Sequence, residues 1–212
     1  MAYTGTKARI LDAALDLFSV QGFEGVSVKQ IAAAVGIKDS SLYKHFASKR
    51  EIFDTLLEQM NERYAETAAL YQLPQGQIVQ MAKEYGRGDL VWLKKGCEAI
   101  FLFFLKDPQA SRFRRMLMIE QYKNSEASAT FQSWFVDSAL HFQTALFGEM
   151  SKQGYFRPAN PETMALQFYA PFFLLLCQYD GKPEKEGEAV RRLMAHVEQF
   201  AAVYQIESGE NR

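Results

Sequence analysis

Short hydroxyls, lysines and a tyrosine crowd one stretch of the chain, Lys38-Asp39-Ser40-Ser41-Leu42-Tyr43-Lys44-His45. Such groups donate to phosphate oxygens and reach base edges in a major groove, lysine as a point charge and serine or tyrosine as adaptable hydroxyls. No other stretch suggests chemistry as strongly. The sequence contains no Gly-rich phosphate loop, no GxSxG elbow and no spaced pair of acids, so neither an enzyme nor a cofactor is expected. Cys97 and Cys177 lie far apart in apolar segments and are expected as buried free thiols. His45, His141 and His196 stand alone, which argues against a metal site. Arg87-Gly88-Asp89 spells an integrin-type tripeptide, read here as a chance string whose Asp89 caps a helix.

The polar stretch needs a support that turns it outward. Residues 30–46 read as helix, tight turn and short helix, the pattern of a helix-turn-helix. Gly36 supplies the residue that tolerates positive φ at the turn, and Ile37 is placed to plug the angle between the helices. Leu42 and Phe46, at i and i+4, point inward and leave Lys38, Ser40, Ser41, Tyr43 and Lys44 toward solvent. Upstream, residues 6–21 place Ile10, Ala14, Leu17 and Phe18 on one face, and Gly22 can end that helix. Ser27-Val-Lys-Gln30 and Ser48-Lys-Arg-Glu51 both read as capping boxes that open helices.

Beyond residue 50 almost every segment has helical periodicity, and β-branched runs are absent. Asp107-Pro108 and Asn160-Pro161 each read as a cap followed by a first-turn proline. Residues 125–153 are expected as one helix with Phe131, Phe135, Ser138, Phe142, Ala145 and Glu149 along a stripe, closing at Gly154. Pro171 is expected to kink its helix or remove one backbone bond near the middle, Gly181-Lys-Pro183 stops that helix, and the last helix spans 184–205. The expected fold is all-α, with a DNA-binding domain over residues 1–50 and a helical body over residues 51–212. Charge divides the same way. Residues 1–50 carry seven Lys/Arg against four Asp/Glu, and the remainder seventeen against twenty-one, a basic end on an acidic body. No apolar run reaches the roughly 18 residues of a membrane span, and the first fifteen residues lack a signal-peptide core, so a cytoplasmic protein with no membrane partner is expected.

The string GIKDSSLYKHFASKREIF, residues 36–53, resembles the signature of TetR-type (tetracycline-repressor-like) transcriptional regulators. The preceding Phe23-x-x-Val-Ser-Val-x-x-Ile-Ala is similar to that family's approach to its second helix, and the likeness covers about residues 8–57. It implies a homodimer that binds pseudo-palindromic, double-stranded operator DNA, most simply as a repressor released by a small-molecule inducer. A scaffold of this type that works through a protein partner without operator DNA is the alternative.

Carried over by position, Tyr43, His45 and Lys49 fall on phosphate-contacting positions, and Ser27 and Val28 where backbone amides meet DNA. Ser40, Ser41 and Lys44 are the candidates for base reading, with Lys38 beside them. Two departures stand out: Lys38 replaces a serine cap found in many members, so Asp39 or Ser40 must cap the recognition helix, and Ser40 replaces a glycine. The family's later helices enclose a ligand, which draws attention to Trp92, Phe101, Phe104, Met116, Phe131, Trp134, Phe135 and Phe142. Glu120, in a Met-Leu-Met-Ile-Glu run, needs either an arginine partner (Arg112, Arg114 or Arg115) or a cationic ligand. Phe168, Phe172, Leu176, Leu193, Val197, Phe200 and Tyr204 are the expected dimer surface. The helix over residues 48–71 would link the DNA-reading and ligand-sensing parts.

Overall fold

The computed structural model describes residues 4–70, 76–86, 91–123 and 125–206, and all named elements among them are helices. The chain divides into two compact units, Met1–Glu66 with Lys106–Gln132, and Thr67–Leu105 with Ser133–Arg212. The unit that holds the polar stretch thus extends past residue 50 and takes in a later segment.

In the first unit, α1 (Gly5–Gln21) buries Ile10, Leu11, Ala14, Leu15 and Phe18. Leu17, expected on that face, is only half-buried, because 3.6-residue periodicity centres the stripe on Leu11 and Leu15. α2 (Val28–Val35) and the four-residue α3 (Asp39–Leu42) follow, and α4 (Lys49–Leu70) begins in this unit. α7 (Pro108–Glu120) packs along α1, and α8 (Ser125–Gln132) packs on α7. The Asp107 carboxylate caps α7 by accepting from the amides of Gln109 (3.0 Å) and Ala110 (2.9 Å), with Pro108 in the first turn as expected. Arg112 of α7 fastens the pair through Asp12 (2.9 Å) and Asp16 of α1.

The second unit contains α5 (Ile78–Gly86), α6 (Val91–Lys106, its last residue excepted), α9 (Ser138–Lys152), α10 (Pro161–Tyr179) and α11 (Glu186–Tyr204). Its core is aromatic: Phe147 lies 5.1 Å from Phe168 and 5.2 Å from Phe200, ring centre to ring centre. Asn160 caps α10 by accepting from Thr163 N–H at 2.9 Å, and the helix runs unbroken through Pro171. Arg87, Gly88, Asp89, Tyr71 and Asn124 lie outside the described residues, as does the cap expected at Asp89.

The single helix expected over 125–153 is interrupted by a π-helical turn, Ser133–Asp137. Hydrogen bonding to i+5 inserts one residue into the helical count and rotates everything after it. Ser138, Phe142 and Ala145 therefore face outward, and Leu146, Phe147 and Met150 take the core positions.

Candidate nucleic-acid interface

α2 starts with the expected capping box. Gln30 N–H donates to Ser27 Oγ at 3.2 Å, and Ser27 N–H donates to Gln30 Oε1 at 2.8 Å. It ends at Gly36, whose φ of 75° and ψ of 34° are left-handed. Gly36 N–H reaches Ala33 O (3.1 Å) and Ile37 N–H reaches Ala32 O (3.0 Å), which satisfies the last carbonyls and reverses the chain. No atom would obstruct a Cβ on Gly36, so backbone conformation alone calls for glycine there.

The recognition helix begins earlier than its sequence suggests. Lys38 is the N-cap residue, with no side-chain cap bond, so neither Asp39 nor Ser40 caps; both lie in the first turn. Helical hydrogen bonds continue past Leu42 through Tyr43 N–H to Asp39 O (3.2 Å) and Phe46 N–H to Leu42 O (3.1 Å). Leu42 and Phe46 are fully buried and anchor the segment from behind. Lys38, Ser40, Tyr43 and Lys44 are exposed, Tyr43 at 54%, while Ser41 and His45 are half-buried. The expected groove-facing set is thus presented together, on a short helix with both inward positions filled.

Ser27 is exposed and Val28 half-buried at the start of α2, where the first amides lack intrahelical partners. Ser48 Oγ accepts from Glu51 N–H (3.0 Å) at the start of α4, but Glu51 returns to Ala47 N–H (2.6 Å) instead of Ser48, a capping box displaced by one residue. Lys49 does not project with the other cations. Its ammonium donates to the carbonyls of Phe23 (2.7 Å) and Val26 (2.9 Å) and lies 4.3 Å from the centre of the Phe23 ring. Sequence reasoning missed this use, since carbonyls leave no mark on side-chain identity. Two more cations contact the protein itself: Arg9, though exposed, donates to Val35 O, and Lys7 sits 4.8 Å over Phe46.

The other expected sites divide between the units. Met116, Glu120 and Phe131 are buried in the first. Phe101, Phe104 and Phe135 are buried in the second, where Phe104 meets Phe135 edge-on at 5.2 Å and Phe101 meets Phe172 at 5.5 Å. Trp92 and Trp134 are half-buried and Phe142 is exposed. Of the residues expected at a dimer surface, Phe168, Phe172, Leu176, Leu193, Val197 and Phe200 are core of the chain itself, and Tyr204 is half-buried. Outward on those helices stand Leu166, Ala170, Leu174 and Cys177 of α10, and Ala195, Ala202 and Val203 of α11. Cys177 is accordingly exposed, and Cys97 keeps partial exposure although burial pushes its thiol up to about 12. Among the described residues no helix is long and apolar enough to cross a membrane.

A tri-helical head with a left-handed turn glycine and a short polar helix held outward defines an all-helical protein of the helix-turn-helix class. Residues 10–56 match the model of the bacterial regulatory proteins of the tetR family. The negative transcriptional regulator IcaR of the icaADBC biofilm operon in Staphylococcus aureus is 46% identical over 48 residues, 23% of this chain and 26% of that protein. The chain thus spans about a quarter of the length of that curated relative. Its fold follows solved structures over nearly the whole length. A TetR-like regulator from Rhodococcus sp. superposes with a TM-score of 0.67 at 20% identity, covering 95% of this chain and 98% of that one. SmeT in complex with triclosan superposes at 0.63 and 19% identity, covering 97% and 94%.

Proposed function

We propose that this protein is a DNA-binding transcriptional regulator, a homodimeric repressor of a pseudo-palindromic operator that a small-molecule inducer releases. The observation that carries this reading is the outward face of α3 and its flanks, where Lys38, Ser40, Tyr43 and Lys44 are exposed over the buried Leu42 and Phe46. Those groups suit phosphate and base-edge contacts, and a helix of this size fits a major groove. IcaR, similar over the same segment, is a negative regulator, which favours repression. The structure of SmeT with triclosan supports a ligand-responsive body here.

Pairing uses the outward stripe of α10 and α11. Leu166, Ala170, Leu174 and Cys177 recur at intervals of four, four and three, one continuous helical face of apolar side chains. A second copy related by two-fold symmetry would cover it and set two recognition helices about one turn of DNA apart. Selection of bound duplexes from a random pool by the full chain tests the reading. Enrichment of a pseudo-palindrome is expected, and its recovery should fall when the inducer is among small apolar molecules added to the pool. A pool that stays random overturns DNA reading; a lone half-site overturns pairing on DNA.

A further inference from the structure

Position 49 is where the family likeness puts a phosphate contact, yet the ammonium of Lys49 is turned into the protein. Two of its three N–H groups serve the carbonyls of Phe23 (2.7 Å) and Val26 (2.9 Å). The cation also lies 4.3 Å from the centre of the Phe23 ring, which is itself held between Phe18 and Phe53, each at 5.3 Å. Both carbonyls belong to the loop that joins α1 to α2. That loop delivers Ser27, whose capping box starts α2. At the far end of α2, Arg9 donates to the carbonyl of Val35, the last residue before the turn glycine. Cations from α4 and α1 thus hold α2 at its two ends, and α2 carries the recognition helix through the Gly36 turn.

We propose that Lys49 is a positioning residue of the DNA-reading head, fixing the α1–α2 loop against the start of α4, and makes no phosphate contact. This rests on the DNA-reading function proposed above. The two roles differ in their dependence on salt. Each lost phosphate contact flattens the plot of log affinity against log salt by about 0.9 of a unit, about 1.8 when both protomers of a bound dimer lose it, since fewer counterions are released. A lost positioning contact lowers affinity at every salt concentration and leaves the slope unchanged.

The test compares Lys49→Met and Lys49→Arg with Lys44→Ala in the full chain, on the selected duplex and on random duplex. Slope, thermal midpoint and amide exchange at Val26 and Val28 are measured. Lys49→Met is expected to lower operator affinity about tenfold with a parallel slope, to lose less affinity for random duplex, to melt earlier and to exchange faster. Lys44→Ala should flatten the slope and leave melting unchanged. Lys49→Arg keeps the charge, but its planar fork cannot reproduce a point donor between two carbonyls, so affinity should still fall several-fold. A phosphate contact would instead let Arg match Lys, and would flatten the slope in Lys49→Met with melting and exchange unaltered. If Lys49→Met does not fold, Lys49→Arg decides by the same readouts. Should no duplex be bound by the parent, DNA reading fails, whereas melting and exchange still judge the clamp: parental values in Lys49→Met overturn it.

Discussion

Gly22 and Glu120 are packed so closely that a Cβ added to Gly22 would stand 1.9 Å from Glu120 Oε1. Gly22 ends α1 with φ of 79° and ψ of 164°, a positive-φ region open essentially to glycine alone. Glu120, at the end of α7, is fully buried, and neither carboxylate oxygen has a hydrogen-bond partner among the described residues. Its ion pair is Lys123 at 3.6 Å, a residue three positions along. Arg112, one of the expected partners, is committed to Asp12 and Asp16.

Gly22→Ala should therefore destabilise the protein by about 2–4 kcal/mol, roughly half from backbone strain and half from the displaced carboxylate. In a urea-unfolding cycle, Glu120→Ala should relieve the second part and leave the first. Strict additivity of the two substitutions would show that the close approach carries no energy.

Tyr43 is more than half exposed (54%) and contributes little to the core. Tyr43→Ala should cost about 1–3 kcal/mol of operator affinity with an unchanged unfolding midpoint. Equal gel shifts for parent and variant would remove Tyr43 from the interface.

Leu174 is 65% exposed and Leu193 is fully buried, though both lie on the helices assigned to pairing. Leu174→Asp is expected to give a folded monomer in sedimentation, whereas Leu193→Asp should not fold. A thiol reagent at pH 8 should reach Cys177 faster as the parent is diluted, and should spare Cys97, whose thiol burial pushes up to about 12. A Leu174→Asp protein that sediments as the parent does would move the pairing surface elsewhere.

Tyr179 donates to Glu188 at 2.6 Å, and that hydrogen bond, with nearby Arg191, Arg192 and Lys185, holds the Glu188 carboxyl below the usual range. A depressed folded pKa stabilises the fold above the unfolded value, near 4.3, and the contribution disappears as pH falls through the folded value. Tyr179→Phe should therefore melt below the parent at neutral pH, with the gap narrowing in acid. A gap that widens in acid would reverse the assignment.

Local signals were read correctly where they act over a few residues. The Ser27–Gln30 box, the Gly36 turn, the Asp107-Pro108 and Asn160-Pro161 starts and the inward pair Leu42 and Phe46 all form as their sequence predicts. The caps depend on a side chain meeting backbone one turn away, the turn on glycine's backbone freedom and the inward pair on i, i+4 spacing, so neighbours in sequence are enough. The π-helical turn at Ser133–Asp137 left no such trace, and it moved Phe142 from the stripe to the surface.

The sequence by itself determined an all-helical chain, a helix-turn-helix head and the polar residues that head offers. Tertiary structure alone decided how apolar and charged side chains are allotted. α10 is apolar on several faces, so periodicity could not say that Phe168, Phe172 and Leu176 fill the chain's own core while Leu166 and Leu174 stay outside. Lys49 likewise reads as a cation available to DNA until folding brings the carbonyls of Phe23 and Val26, more than twenty residues upstream, within reach of its ammonium. Where a helix is apolar on several faces, or a cation's partners lie far upstream, helix packing decides which surface a side chain faces and spacing along the chain does not.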